Sequence, residues 1–261
     1  MDKFQILFIE ISDFLLYNTI IDRRTDMFEY TYTMRYGDLK NAETIKPSSI
    51  LDVIQDVAIR NSDECGFTMD KMREINMAWM LQGIKVHFDE PVKARLPLVA
   101  HTAVKNMKGI TSERGTIIYQ DGKPVVKAVA NWFLFDANRG RPGKIPADMA
   151  ESYPMHDFED EFFAYTKPSL MDDAEILYQV RVSNKDIDTN VHLNNQKSAE
   201  MLMDALPFDF FFTDMNVYYK KAAVLGDILE LCSCKTENGY YVHLQTPEKD
   251  VCVAGIFEFN K

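Results

Sequence analysis

Cysteine is scarce, with four residues in 261, and tryptophan scarcer, with two. Cys65, Cys232, Cys234 and Cys252 are too few and too unevenly spaced for a disulfide scaffold or a zinc site. Cys232 and Cys234 lie two apart in an apolar run, which places them on one face of a strand as small buried hydrophobes. Positive charge is also short: 29 Lys and Arg against 40 Asp and Glu leave a net charge of −11. That balance argues against nucleic acid as a partner, which calls for a basic field to neutralise phosphates. An acidic partner held on a local basic patch stays open. No uncharged apolar run reaches about 18 residues, so no membrane-spanning helix is expected. Neither a glycine-rich phosphate loop nor a metal-ligand string occurs, so no cofactor and no metal is expected.

What is present is an ordinary globular composition, 46% hydrophobic and 26% charged. The stretch from Phe4 to Ile21 is apolar but broken by Glu10 and Asp13, and it lacks a small-residue cleavage site, so it makes a poor signal peptide. Residues 1–26 therefore read as an N-terminal extension, or as the product of a start codon upstream of Met27. Beyond them the chain repeats. Tyr32-Thr33-Met34-Arg35-Tyr36 matches Tyr178-Gln179-Val180-Arg181-Val182 at an offset of 146, and Ile84 to Phe88 matches Met215 to Tyr219 at 131. The first offset sets Ser48 and Ser49 against Asn194 and Asn195, each pair ahead of a helical pattern. Ile50, Leu51, Ile54, Val57 and Ala58 recur at helix spacing in one copy, and Met201, Leu202 and Ala205 in the other, where Pro207 stops the run.

Strand patterns follow each helix: Leu98 to Ala103, Glu113 to Gln120 and Val125 to Phe135, then Ile228 to Lys235, Tyr240 to Gln245 and Val251 to Phe259. Asp121-Gly122 marks a hairpin. Each copy thus predicts a long helix packed on an antiparallel sheet, an α+β arrangement. The expected organisation is an extension over 1–26, a first unit over 27–136, a linker over 137–172 and a second unit over 173–261. The linker segment holds Arg139, Arg141, Lys144 and several aromatics that predict packing on the surface.

The densest run of reactive side chains is Asp186-Ile187-Asp188-Thr189-Asn190-Val191-His192-Leu193-Asn194-Asn195. Read as an extended segment, one face carries a carboxylate, a carboxamide and an imidazole: a general base, a hydrogen-bond donor and a group that titrates near neutral pH. Asn194 suits a helix start, where its side chain caps free N–H groups. Those same groups could instead stabilise an oxyanion. An Asn/Asp-rich loop that merely caps a helix is the competing account. Against it, the repeat puts Ala42, Thr44, Lys46 and Ser48 at the corresponding places, so the fold itself does not demand Asp, Asn and His there.

With the string D-x-N-x-H-x-N-N-x-K from Asp188 to Lys197, Trp79-Met80-Leu81 ahead of the first sheet strand, and Trp132 followed by Asp136, the chain resembles the acyl-[acyl carrier protein] thioesterases of plant plastids and many bacteria. The resemblance covers about residues 27 to 261. It implies two tandem hot-dog units, a cytoplasmic enzyme hydrolysing fatty acyl thioesters, and acyl carrier protein as partner, with homodimerisation also expected. It assigns catalysis to Asp188, Asn190 and His192, and acyl-chain selection in the first unit to Ile50, Ile54 and Met80. A Glu that the family carries on the next strand is Ala222 here, and a Cys of plant relatives is Ala223. A hot-dog dehydratase and a non-catalytic acyl-thioester sensor are the alternatives, and Ala222 is the feature that favours the sensor. Cys65 has no neighbouring base in sequence, and His87, His101 and His243 lie in strand-like runs. Met69, Met72, Met77 and Met80 suit either a core or the wall of an acyl tunnel.

Overall fold

Helix α1 (Pro47–Glu64) forms where the apolar positions recur every three to four residues, with Pro at its first position, where no N–H is needed. It stops at Gly66, whose φ of 84° is the left-handed value that favours glycine. The Phe67 N–H then reaches the Ser62 carbonyl at 2.9 Å and the Gly66 N–H the Asp63 carbonyl at 3.0 Å, closing a Schellman cap. One face of α1 buries Ile50, Leu51, Val53, Ile54 and Val57, each contributing about 1.5–3 kcal/mol of hydrophobic stabilisation.

The computed structural model describes residues 27–260, so the expected extension lies outside the described residues. Around α1 stand β1 (Phe28–Tyr32), a short helix α2 (Met69–Glu74), β2 (Met77–Phe88), β3 (Leu98–Lys108), β4 (Thr111–Gln120) and β5 (Lys123–Asp136). After the two-residue β6 (Arg141–Pro142) and α3 (Ala147–Ser152) come β7 (Glu175–Arg181), α4 (Asn195–Met203), β8 (Asp214–Tyr219), β9 (Ile228–Lys235), β10 (Gly239–Gln245) and β11 (Val251–Glu258). The β4–β5 hairpin turns on Asp121 and Gly122, both at positive φ, as a two-residue turn requires. Helix α4 is half the length of α1, shorter than the sequence pattern predicts, because the chain tightens to three-residue bonds, Ala205 N–H to Leu202 O and Leu206 N–H to Met203 O, and Pro207 follows.

The two units do not have separate sheets. Their strands join in one antiparallel sheet of order β1-β3-β4-β5-β2-β8-β11-β10-β9-β7, with β6 paired to β5. The seam is β2 against β8, where Ile84 faces Val217 and Val86 faces Met215. Backbones approach closely there: a Cβ on Gly83 would meet the Tyr165 side chain and the Val217 carbonyl. The main core runs through both units, from Ile45 to Phe257. Phe158 and Phe163, from the segment between the units, pack with Ala103 and Val129 on the outer side of β3 and β5.

Hydrogen bonding corrects the repeat register by two residues. Lys40 N–H bonds to Thr44 O at 2.9 Å and Asp188 N–H to His192 O at 2.8 Å. Lys46 N–H bonds to Asp38 O, and Asn194 N–H to Asp186 O. Both pairs of bonds are related by an offset of 148, not 146. The helix caps Lys46 and Asn194 obey it too. The counterparts of Asp188, Asn190, His192 and Asn194 are therefore Lys40, Ala42, Thr44 and Lys46. The first copy has Asn41 and Glu43 in this loop but no acid, amide or imidazole at the three places that hold Asp188, Asn190 and His192, so the contrast between the copies survives at those positions.

Candidate active site

The 186–195 string is not an extended strand. A single 3₁₀ turn (Asn184–Asp186) leads into a loop pinched shut by a bridge between Ile187 and Leu193. Inside it, Asp188 Oδ1 accepts from the Asn190 N–H at 2.8 Å and the His192 N–H at 3.1 Å, an Asx-type turn. The carboxylate thus organises the loop that carries the other two groups. Val191, between them, is held at φ 64°, a costly conformation for a β-branched residue. Glu43, its counterpart in the first copy, is not among the positive-φ residues.

Asn194 caps α4 as its position suggests, accepting from the Gln196 N–H at 2.8 Å and the Lys197 N–H at 3.1 Å. Those two donors are consequently taken and do not form an oxyanion hole. Lys197 is engaged within α4, donating to Glu200 at 2.8 Å. His192 is half-buried, and its Nδ1 is buried with no hydrogen-bond partner among the described residues. Ala222 is exposed, and the carbonyl of its neighbour Ala223 accepts from the Leu193 N–H at 2.8 Å, so this position lies beside the loop without a carboxylate.

The loop opens on a cavity of about 870 Å³, within the usual range for small-molecule sites. Asp188, Thr189, Asn190, Asn194 and Asn195 line one part of it, and the rest belongs to the first unit apart from Ala137 and Tyr153 of the segment that follows it. Its apolar wall is Met69, Met72, Met77, Trp79, Met107 and Trp132. Asn195 Nδ2 donates to Gln55 Oε1 at 3.3 Å, tying the string to the middle of α1. Trp79 lies within β2 rather than ahead of it. Of the expected chain-selecting residues, Ile50 and Ile54 are fully buried in the main core and Met80 is outside the lining. The cavity instead uses the opposite face of α1, including Asp52, Gln55, Asp56 and Ile59.

Two charged groups here escaped the sequence reading. Asp52 lines the cavity, makes no ion pair among the described residues, and burial raises its carboxyl above the ordinary aspartate value, against partial relief from Lys197. A polar groove of about 400 Å³, lined by Lys46, Gln196 and Lys197, continues past Asp52. Arg114, on β4, is 6% exposed and burial pushes its guanidinium down to about 10, so it stays a cation at neutral pH. One signal was available for each: a lone acid between Leu51 and Val53, and a lone arginine inside a strand pattern.

The other candidates have structural partners. Burial raises the Cys65 thiol, the wrong direction for a nucleophile. His87 bonds Asp214 at 2.9 Å across the seam, His101 lies beside Glu29, and His243 bonds Gln245. No cluster of three or more His, Cys, Asp or Glu among the described residues could hold a metal ion.

The sequence profile of the acyl-ACP thioesterase N-terminal domain matches residues 25–153, and that of the C-terminal domain residues 169–260. No curated protein sequence matches. Among solved structures, the fold is similar to an acyl-ACP thioesterase from Bacteroides thetaiotaomicron, with 18% identity, TM-score 0.79, and coverage of 90% of this chain and 98% of that one. It is similar as well to the 12:0-ACP thioesterase from Umbellularia californica, with 12% identity, TM-score 0.79, and coverage of 90% and 97%. The architecture is the tandem hot-dog α+β fold, and with both domains matched over most of its length the chain belongs to the acyl-ACP thioesterase family, hydrolases of fatty acyl thioesters on acyl carrier protein.

Proposed function

We propose that the thioester of a fatty acyl-[acyl carrier protein] is hydrolysed where the Asp188–His192 loop meets the cavity, with the acyl chain lying along α1 against the methionines and tryptophans. The observation that supports this is that Asp188 and Asn190 line the same cavity as that apolar wall, whereas His192 is outside the lining. In this reading the Asn190 carboxamide donates to the thioester carbonyl, and water adds to the carbonyl carbon. A carboxylate or the His192 imidazole takes the water proton and returns one to the departing thiolate. Asp188 holds the loop through its Oδ1, which leaves Oδ2 for the proton. Asp52, from the facing helix, is another carboxylate of the same cavity, with no ion pair among the described residues, and the candidate to stand in for the acid missing at 222.

The carrier is acidic, so its docking surface must be locally basic. Lys221 is paired to Asp250 and Arg139 to Asp136, which leaves Lys220, Arg141 and Lys144 with no ion pair among the described residues. The proposed setting is the cytoplasm; no helix among the described residues is long and apolar enough to cross a membrane. A second copy is the other proposed partner, through β7. That strand ends the sheet and exposes Ile176, Leu177 and Tyr178. Antiparallel pairing of two copies centred on Tyr178 sets Glu175 of each against Arg181 of the other.

The deciding experiment is incubation of the protein with a panel of acyl-carrier-protein thioesters of different chain lengths, following free thiol. Release supports the enzyme. Tight binding without release would instead establish the acyl-thioester sensor that Ala222 suggests.

A further inference from the structure

The far end of the cavity is polar in a way that a plain alkyl chain does not use. Arg114 lines it, 6% exposed, with no carboxylate partner among the described residues. Its Nη1 donates to Asn61 Oδ1 at 2.7 Å and, more weakly, to Thr102 Oγ1 at 3.4 Å, and the guanidinium carbon lies 5.7 Å from the Tyr153 ring centre. All three contacts are to neutral groups, whereas a guanidinium has five N–H donors. A cation desolvated this far without an anion is costly, and it gains most from an oxygen acceptor brought to it. A second, independent group makes the same demand: Trp132 also lines the cavity, and its buried indole N–H has no acceptor among the described residues.

The two sit on one wall. Trp132 pairs with Ser112, and Ser112 and Arg114 are two apart on β4, so their side chains leave the same face and the Trp132–Arg114 diagonal is within reach of long side chains. Their distance from the loop follows from α1: Gln55 touches Asn195 of the string, Asn61 touches Arg114, and six residues of helix span about 9 Å. Arg114 therefore waits several carbons from the thioester, with Trp132 on the same wall.

We propose that Arg114 and the Trp132 indole form a subsite for an oxygen atom near the far end of the acyl group, so that the preferred substrate is an acyl chain bearing a hydroxyl or carboxylate there rather than a plain alkyl chain. The proposal rests on the thioesterase reading for its substrate, but its test does not need turnover. The probes are pantetheine amides of acyl chains of graded length ending in methyl, hydroxyl or carboxylate; as amides they bind without being cleaved. Calorimetry with the full chain is expected to show an oxygenated end bound at least about tenfold more tightly than the methyl end at one matched length, the scale of a charge-assisted hydrogen bond. Hydroxyl and carboxylate arms identify which oxygen is meant. Arg114→Met should abolish the preference, and Trp132→Phe, which removes the N–H while keeping an aromatic ring, should reduce it severalfold. Methyl-ended probes binding as tightly at every length would overturn the subsite. So would an unchanged preference in a folded Trp132→Phe protein, which decides the matter if Arg114→Met does not fold. Parallel assays of the corresponding carrier thioesters separate the two ideas: absence of thiol release with the preference intact would sink hydrolysis and leave the subsite standing.

Discussion

Asp188 and His192 are joined by two hydrogen bonds: the Asp188 N–H donates to the His192 carbonyl at 2.8 Å, and the His192 N–H donates to the Asp188 side-chain Oδ1 at 3.1 Å. Loop shape and carboxylate are therefore one unit. Asp188→Asn keeps an oxygen to accept those N–H groups but removes the charge, and is expected to lower kcat about 10²–10⁴-fold with little change in Tm. His192→Ala should lose a comparable factor, and the double variant little more. Asp188→Ala, which also orphans two N–H groups, should lower Tm in addition. Asp188→Asn with near-normal kcat would move the base elsewhere.

Asp52 supplies the alternative. Its desolvated carboxyl is raised, so folding favours its protonated form, and the penalty for ionising it is present above its folded pKa and relieved as pH falls through that value. Asp52→Asn is expected to raise Tm at neutral pH. If Asp52 is the base, the same change removes an acidic limb of the kcat/KM profile that lies above the ordinary aspartate value of about 3.9. A profile identical to that of the parent would eliminate it.

Val191→Gly tests the left-handed position. Relief of about 1–2 kcal/mol of backbone strain is partly offset by about 0.5–1 kcal/mol of added chain entropy, so Tm should hold or rise slightly. Activity should fall, because the loop gains freedom between Asn190 and His192. A drop in Tm would show that the valine side chain stabilises the loop by contact.

Carrier docking through Lys220, Arg141 and Lys144 predicts a KM that rises with salt for carrier-bound substrate and stays flat for a short pantetheine thioester, since exposed charges are screened beyond about 8 Å at physiological ionic strength. Lys220→Glu should reproduce the rise at low salt. If neither change moves KM, the docking surface lies on another face.

Pairing through β7 predicts a dimer by sedimentation, and Leu177→Lys, which places a charge on the open edge, should shift it to monomer without loss of Tm. A monomeric parent protein would remove the second copy from the list of partners.

The legible part of the fold was whatever depends on near neighbours in the chain. The strands declared themselves by alternation, α1 by its 3.6-residue spacing, and the β4–β5 hairpin by Asp121-Gly122. The repeat register slipped by two because Tyr32 and Tyr178 look alike, whereas the bonds that define the loop, such as Ile45 to Val92 and Leu193 to Ala223, join distant segments. The string read as extended because alternation is a strand signal; the Asp188 side chain bonding its own following backbone overrides it. Ile50 and Ile54 were reasonable choices for chain selection, but an amphipathic helix has two faces, and only packing shows which one meets the cavity. The segment between the units carries further carboxylates, Glu159 and Glu161. It follows Phe158 and Phe163 to the outer side of the sheet, where a Cβ on Gly115 would strike the Phe158 ring, and so faces away from Arg114.

The β2–β8 seam has a consequence for stoichiometry. Two hot-dog units that share a sheet about a pseudo-dyad begin with two equivalent loops, and in two separate identical chains each loop would be bound by the same mutations. Fusion into one polypeptide breaks that bond. The first-copy loop carries Lys40, Ala42 and Thr44 where the second carries Asp188, Asn190 and His192, and the cavity lies beside α1 in the first unit. On the proposed site, a titration with a tight acyl ligand should reach its end point at one equivalent per chain, although the backbone hydrogen bonds of the loop occur twice.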